Sequence, residues 1–266
     1  MFARLMDRAF LRGLLAVGSV FKLKGAPVLH YHSVDGENRA SVTRAAFSGQ
    51  MLYLKENGFK VMALSEFAGL MKKGETLPPE TIALTFDDGY ETNYSIAFPV
   101  LQDMGFSATI FMTTARSGMT SDWQGARADM RLLSWDEARE MSCAGIEFGA
   151  HTETHPRLAA ISVERAKEEI EGSKKRIEDE LGKTARFFAY PYGDYNSAVK
   201  TLVSNAGFLA AFTIEPGLNS PCADLFELRR SGVFRDTTMN GFRTRLNGTF
   251  RWYYYTKTRL RSINPL

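Results

Sequence analysis

Short apolar runs recur through the middle of the chain, separated by longer stretches in which apolar and charged residues mix. They are PVLHY (27–31), FKVMAL (59–64), TIALTF (81–86), ATIFMT (108–113), IEFGA (146–150), RFFAY (186–190) and FLAAFT (208–213). Runs this short, bounded by turn-forming residues, read as buried strands. The stretches between them end five times in glycine, as KENGF (Gly58), QDMGF (Gly105), SCAGI (Gly145), DELGK (Gly182) and SNAGF (Gly207), and four of the five are followed at once by an apolar residue. Glycine accepts the left-handed conformation that ends helices, so each marks a helix handing over to a strand. Helix starts agree with this: SWDE (134–137) has the form of a capping box, and Ser162 is placed to cap a charged helix over 163–181. Apolar strands alternating with helices predict an α/β fold with a mostly parallel sheet covered on its faces. Seven such repeats in one chain favour a barrel over an open sheet. No linker rich in Pro or Gly interrupts the pattern, and KKGETLPPE (72–80) reads as a loop.

With 266 residues and 44% apolar content, the chain can bury a large core in one α/β domain. Its two cysteines, Cys143 and Cys222, offer neither a disulfide framework nor metal-finger spacing. Charge divides the chain in three. Residues 1–26 hold five bases and one acid and residues 235–266 seven bases and one acid, which leaves the centre at −7 within a net charge of +3. The expected organisation is a basic amphipathic segment (1–26), a central domain (27–235) and a basic aromatic extension (236–266).

GLLAVGSVF (13–21), behind Arg4, Arg8 and Arg12, has the charge order of a secretory signal, but the apolar run is short and no small-residue cleavage site follows. It is also too short to span a bilayer. Leu5, Phe10, Leu11, Leu14, Leu15 and Val17 among arginines suit an amphipathic helix lying on an anionic surface. FRTRLNGTFRWYYYTKTRLR (242–261) sets Trp252 and Tyr253 to Tyr255 in a stretch without acids, a mixture that favours the headgroup layer. Docking helices with solvated basic faces explain both ends equally well. Peripheral membrane contact is therefore one expectation, with a cytoplasmic or inner-membrane location and a periplasmic or extracellular one as the alternative. No base-stacking module is present, so no nucleic-acid partner is expected.

Chemistry in parallel α/β folds gathers at the carboxyl ends of strands. There TIALTF is followed by Asp87, Asp88 and Gly89, IEFGA by HTETHP with His151 and His155, and RFFAY by PYGDYN. The first strand carries HYHSV, with His30 and His32 on one face, so all four histidines of the chain lie in two such places. Two imidazoles and a carboxylate can hold a divalent metal with positions left open for water. One aspartate of the adjacent pair would then be fixed by the ion and the other left to take a proton, which relieves their mutual repulsion. Alone, an Asp-Asp pair is more often a loop cap or a Ca²⁺ or Mg²⁺ ligand, and a His-x-x-x-His pair is likewise often structural. Joint placement on successive strand ends favours catalysis.

TFDDG, HTETHP and YPYGDYN, in this order and spacing, resemble the signature motifs of the polysaccharide deacetylase family, the NodB-homology domain of carbohydrate esterase family 4. The likeness spans roughly residues 27–235. It implies a distorted (β/α) barrel of about seven strands and metal-dependent removal of acetyl groups from N-acetylated sugars. By residue, it implies Asp87 as base, Asp88, His151 and His155 as metal ligands, and Tyr192 as the residue whose backbone N–H helps hold the oxyanion, with Tyr190 and Pro191 beside it at the substrate. His32, at the end of the first strand, is the expected acid for the leaving amine, and His30 is read as core or as a supporting group. The FAYPYG form and the early histidine resemble the branch that deacetylates exopolysaccharide. One departure matters: the arginine that many members carry two residues before the motif proline is Ala189 here, so the base is expected to lack its usual partner and to have a raised pKa. Arg230, in ELRRSGV, is a candidate replacement, or else a rim salt bridge.

Trp135 and Trp123 are candidates for stacking on a sugar, although Trp135 could equally be a core aromatic. Residues 113–131 form a long polar insertion expected to shape one wall of the site. Zinc is the first choice of cofactor, and Co²⁺, Ni²⁺, Mn²⁺ or Fe²⁺ also suit the ligands. Three functions remain in view: an N-deacetylase of an amino-sugar polymer or oligosaccharide, the same chemistry on a lipid-linked or lipopolysaccharide sugar, and an inactive carbohydrate-binding domain. Oligomeric state is not legible.

Overall fold

The computed structural model describes residues 2–20, 23–123 and 130–263. Nine strands form one curled sheet: β1 (Ala26–Tyr31), β2 (Lys60–Val61), β3 (Thr81–Phe86), β4 (Thr109–Met112), β5 (Glu147–Ala150), β6 (Phe187–Ala189), β7 (Ala210–Phe212), β8 (Leu218–Asn219) and β9 (Ser231–Gly232). The helices that bear on the argument are α1 (Phe2–Val20), α2 (Arg44–Glu56), α3 (Leu64–Lys72), α4 (Phe98–Met104), α5 (Trp135–Cys143), α6 (Val163–Leu181), α7 (Ser197–Asn205), α8 (Met239–Leu246) and α9 (Phe250–Ile263).

The sheet runs β7-β6-β5-β4-β3-β1-β8, with β2 beside β3 and β9 beside β1. All described pairings are parallel except β1 with β8. The curl is closed by the stretch 228–232, in which Leu228 bridges Phe212 of β7 while Ser231 and Gly232 pair with Leu29 and His30 of β1. A (β/α) barrel results, distorted because its seam is one isolated bridge and a two-residue strand rather than a full strand.

Strand residues alternate between two faces. Val28, Ala83, Phe111, Phe187, Ala189, Ala210, Phe212 and Leu228 fill the barrel together with Leu64, Phe67, Ala68 and Met71 of α3. Leu29, Tyr31, Leu84, Phe86, Ile110, Phe148, Phe188 and Tyr190 face the surrounding helices and form the larger core. Gly149 sits on the inner face because a Cβ there would fall 2.6 Å from the Phe111 ring and 2.9 Å from the Phe187 carbonyl oxygen.

All five glycine stops are left-handed, at φ 63° to 94° for Gly58, Gly105, Gly145, Gly182 and Gly207. Ser134 and Glu137 form a reciprocal capping box, and the Ser162 side chain caps α6. FKVMAL departs from expectation: only Lys60–Val61 is strand, and Leu64 already opens α3. Leu64, Phe67, Ala68 and Met71 recur at helical spacing and are buried, which outweighs the strand-like composition of the preceding residues. Strands β8 and β9 are two residues long each and have no apolar run to announce them.

The chain ends are part of the packing. Leu11 and Leu14 of α1 are buried, Phe10 lies 6.1 Å from Tyr253 of α9, and Gly18 abuts Asn247 and Thr249. Phe242 and Leu246 of α8 belong to the main core, and Arg245 donates to the Gly232 and Gly241 carbonyl oxygens. Residue 235 is thus no packing boundary. Among the described residues, no helix is long and apolar enough to cross a membrane.

Candidate active site

On β3 the inward positions are Ala83 and Thr85, and Asp87 continues that face, its N–H donating to the Tyr31 carbonyl oxygen at 2.9 Å. In an extended chain Asp88 would point the opposite way. Left-handed φ angles of 73° at Asp88 and 74° at Gly89 turn the chain and bring both carboxylates to one mouth. His151 follows Glu147 and Gly149 on the inner face of β5, and its N–H donates to the Met112 carbonyl oxygen. Thr152 and His155 then take φ angles of 67° and 63°, folding HTETHP back on itself. Four of the five described non-glycine residues with positive φ are Asp88, Thr152, His155 and Tyr192. Such conformations cost about 1–3 kcal/mol each and collect where function requires them.

Asp88, His151 and His155 converge. Nε2 of His151 and Nε2 of His155 lie 3.2 Å apart, and Oδ1 of Asp88 is 3.5 and 3.3 Å from them. Tetrahedral metal centres with bonds of about 2.0–2.2 Å separate their ligands by about 3.3–3.6 Å, so this triangle has the right size. Nδ1 of His151 is 2.7 Å from the Ala189 carbonyl oxygen, which fixes that nitrogen as donor and leaves the Nε2 lone pair aimed at the centre. Burial, reinforced by His155, lowers the His151 pKa to about 4, so the ring is neutral and able to ligate. Burial alone would raise the Asp88 pKa; hydrogen bonding and attraction from His155 bring it to about 2. Donor type, protonation and spacing all fit a divalent ion.

Asp87 is paired elsewhere. Nη1 and Nη2 of Arg230 meet Oδ1 and Oδ2 of Asp87 at 2.6 and 2.9 Å, a bidentate clamp with the guanidinium fully buried. Nε of Arg230 donates to the Thr213 carbonyl oxygen and Nη1 to the Thr85 hydroxyl, which aims the fork. The expectation that the base lacks a cationic partner is therefore corrected. Burial works to raise the Asp87 pKa, yet the guanidinium, 143 residues away in sequence, holds it well below the usual carboxylate range.

His30, His32 and Asp87 also group, with ligand atoms within 4.8 Å of one another. Both Asp87 oxygens already face a cation, however, so a divalent ion there would meet repulsion. His30 is buried with Nδ1 3.7 Å from Asp87, its pKa held well below normal by burial and then by Arg230. His32 is half-buried and stacks on Phe234 at 6.4 Å between ring centres.

The Tyr192 ring packs against His155 at 4.5 Å and lies under the Arg157 guanidinium at 4.3 Å. Trp123 stacks on His155 at 4.8 Å, which places it at the mouth, while residues 124–129 of the insertion lie outside the described residues. Trp135 starts α5, packs against the main core and has the Arg176 guanidinium 5.8 Å from its ring. Tyr190 is corrected by strand alternation: Ala189 points into the barrel, so Tyr190 points out, fully buried under the helices with its hydroxyl on the Phe226 carbonyl oxygen. Pro191 is buried and begins a single 3-10 turn.

Sequence reasoning missed Tyr90, whose hydroxyl bonds to Asp88 and whose pKa is pushed up by burial and then by that carboxylate. It also missed Phe234, which lies 6.0 Å from His30 between ring centres, and Glu169, buried beneath the HTETHP turn. Tyr90 follows TFDDG directly and was readable as a neighbour of Asp88; the other two have no local signal.

A barrel whose charged side chains gather at the carboxyl ends of parallel strands belongs to the class of α/β-barrel enzymes. Comparison narrows the class. The family model for polysaccharide deacetylases matches residues 74–211, just over half of the sequence, and the chain belongs to that family of hydrolases. It is 31% identical over 208 residues to YxkH of Bacillus subtilis, assigned to the polysaccharide deacetylases, covering 78% of this chain and 71% of that protein. It is 29% identical over 205 residues to the poly-beta-1,6-N-acetyl-D-glucosamine N-deacetylase of Staphylococcus epidermidis, covering 74% and 69%. The solved structure of IcaB from Ammonifex degensii superposes with a TM-score of 0.73 at 25% identity, over 83% of this chain and 95% of that one.

Proposed function

We propose that the protein is a metal-dependent N-deacetylase that hydrolyses the acetamide of N-acetylated amino sugars in an exopolysaccharide. The observation that carries this reading is the triangle of Asp88, His151 and His155 beside a second carboxylate that is clamped by Arg230. When bound, a divalent ion supplies Lewis acidity, activating a water and polarising the acetamide carbonyl. Asp87 accepts the proton of the attacking water; the Arg230 clamp keeps it ionised and aimed. The Tyr192 backbone N–H donates to the developing oxyanion, a contact worth about 3–4 kcal/mol when prepositioned. His32 gives a proton to the departing amine. The Trp123 ring, stacked on His155, borders the sugar.

The test combines metal analysis with acetate release from poly-β-1,6-N-acetylglucosamine, chitin oligomers and lipid-linked N-acetylsugars. Asp87→Asn should keep the metal and lose about 100- to 10,000-fold in acetate release. Parent-rate release by that variant would remove Asp87 from its role, and release by none of the preparations would favour a carbohydrate-binding domain.

Action at a membrane surface is a second reading. Phe10, Val17, Trp252 and Tyr255 are exposed, and Arg12 and Arg251 share their helices. Such a surface suits anionic headgroups. Vesicle co-sedimentation reads it directly.

A further inference from the structure

His151 and His155 are four residues apart, yet no helix aligns them; a turn with left-handed residues at both Thr152 and His155 does. That turn is gripped from below by one side chain. Glu169, on α6, is fully buried, and its Oε2 accepts the N–H groups of both Glu153 and Thr154 at 2.8 Å. Its Oε1 accepts the Thr154 hydroxyl and Nη2 of Arg165, each at 2.6 Å. A buried carboxylate is costly unless satisfied, and here four donors satisfy it. Gly172 of α6 lies beside the same turn: a Cβ there would fall 2.6 Å from the Glu153 carboxyl carbon, at the far end of a side chain able to swing aside. From the other side, the N–H groups of Thr114 and Ala115 hold the Thr152 and Glu153 carbonyl oxygens.

Resting on the metal reading above, we propose that Glu169 is a positioning residue that sets where His155 presents its Nε2, and thereby the grip on the divalent ion. Without it two adjacent N–H groups lose their acceptor, and the turn is left with the His155 N–H to Thr152 hydroxyl bond and the Thr114 and Ala115 contacts. The Nε2 separations of 3.2 and 3.3 Å, to His151 and Asp88, are then less firmly enforced.

The experiment titrates Zn²⁺ into metal-free parent, Glu169→Gln, Glu169→Asp, Thr154→Val and Asp88→Asn against a competing chelator, with thermal unfolding of each metal-free form and visible spectra of the Co²⁺ forms. Glu169→Gln should bind Zn²⁺ about 10- to 100-fold more weakly and show an altered Co²⁺ spectrum, as loss of an outer-shell support does. Glu169→Asp should fall between it and the parent. Thr154→Val removes only the hydroxyl bond, should fold, and should weaken binding several-fold, so the inference stands or falls even where Glu169→Gln does not fold. A loss of thermal stability with unchanged Zn²⁺ affinity and Co²⁺ spectrum would make Glu169 structural only and overturn the inference. If Asp88→Asn binds Zn²⁺ like the parent, the metal reading itself fails.

Discussion

At the scale of single residues, the buried pairing of Asp87 with Arg230 sets the protonation of that carboxylate. Removing one member of a buried ion pair costs about 3–5 kcal/mol because the other is left without compensation. Arg230→Met should lower stability at neutral pH by about that amount. The pH dependence has a definite sign. Asp87 is held below its unfolded value of about 3.9 in the parent, so its stabilising contribution is present above about pH 4 and fades as pH falls through the folded value. In the variant burial loses its strongest opponent, with His151 and His30 still acting against it, so the pKa rises and protonation relieves the buried charge as pH falls. The gap between parent and variant, read from urea midpoints, should therefore be widest near neutrality and narrow below about pH 4. An equal gap across that range would show that Arg230 does not hold Asp87 ionised. Asp87, Asp88, His151 and His155 were legible because each lies in a short motif at a strand end. Arg230 could be singled out only as the cation missing from the Ala189 position, since its partner lies 143 residues away and meets it through closure of the barrel.

Elements show how alternation decides function. Inward positions on β5 are Glu147, Gly149 and His151, and the small middle residue lets Phe111 cross the barrel beneath the histidine. Gly149→Ala should overpack this layer, lower stability by about 1–3 kcal/mol and weaken metal binding by displacing His151, measurable by thermal unfolding and metal titration on one sample. The same alternation explains why Tyr190 was misread. A motif lists residues in order but does not tell which face each occupies, and the placement of Ala189 settles that Tyr190 faces the helices. Strand and helix order was readable because glycine stops and caps are local signals. Strands β8 and β9 were not, since two-residue strands arise from the neighbours they pair with.

For the whole molecule, the described parts of the two basic ends pack against the barrel: Leu11 and Leu14 of α1 are buried, and Phe242 and Leu246 of α8 join the main core. Because Phe242 and Leu246 lie in the main core, removing residues 236–266 would damage the barrel itself. Point changes on the exposed face are the usable probe of the membrane reading. Phe10→Glu with Trp252→Glu should abolish co-sedimentation with phosphatidylglycerol vesicles and leave acetate release from a soluble oligosaccharide at the parent rate. Binding that persists, or a parent protein that ignores anionic vesicles, ends that reading. The seam at 228–232 has a consequence for synthesis. Arg230 stands late in the chain, directly before the β9 residues that dock on β1, and its partner Asp87 lies 143 residues earlier. A nascent chain that has emerged only as far as β7 has no Arg230 to pair with that buried acid, so the last stave of the barrel also brings the counter-charge.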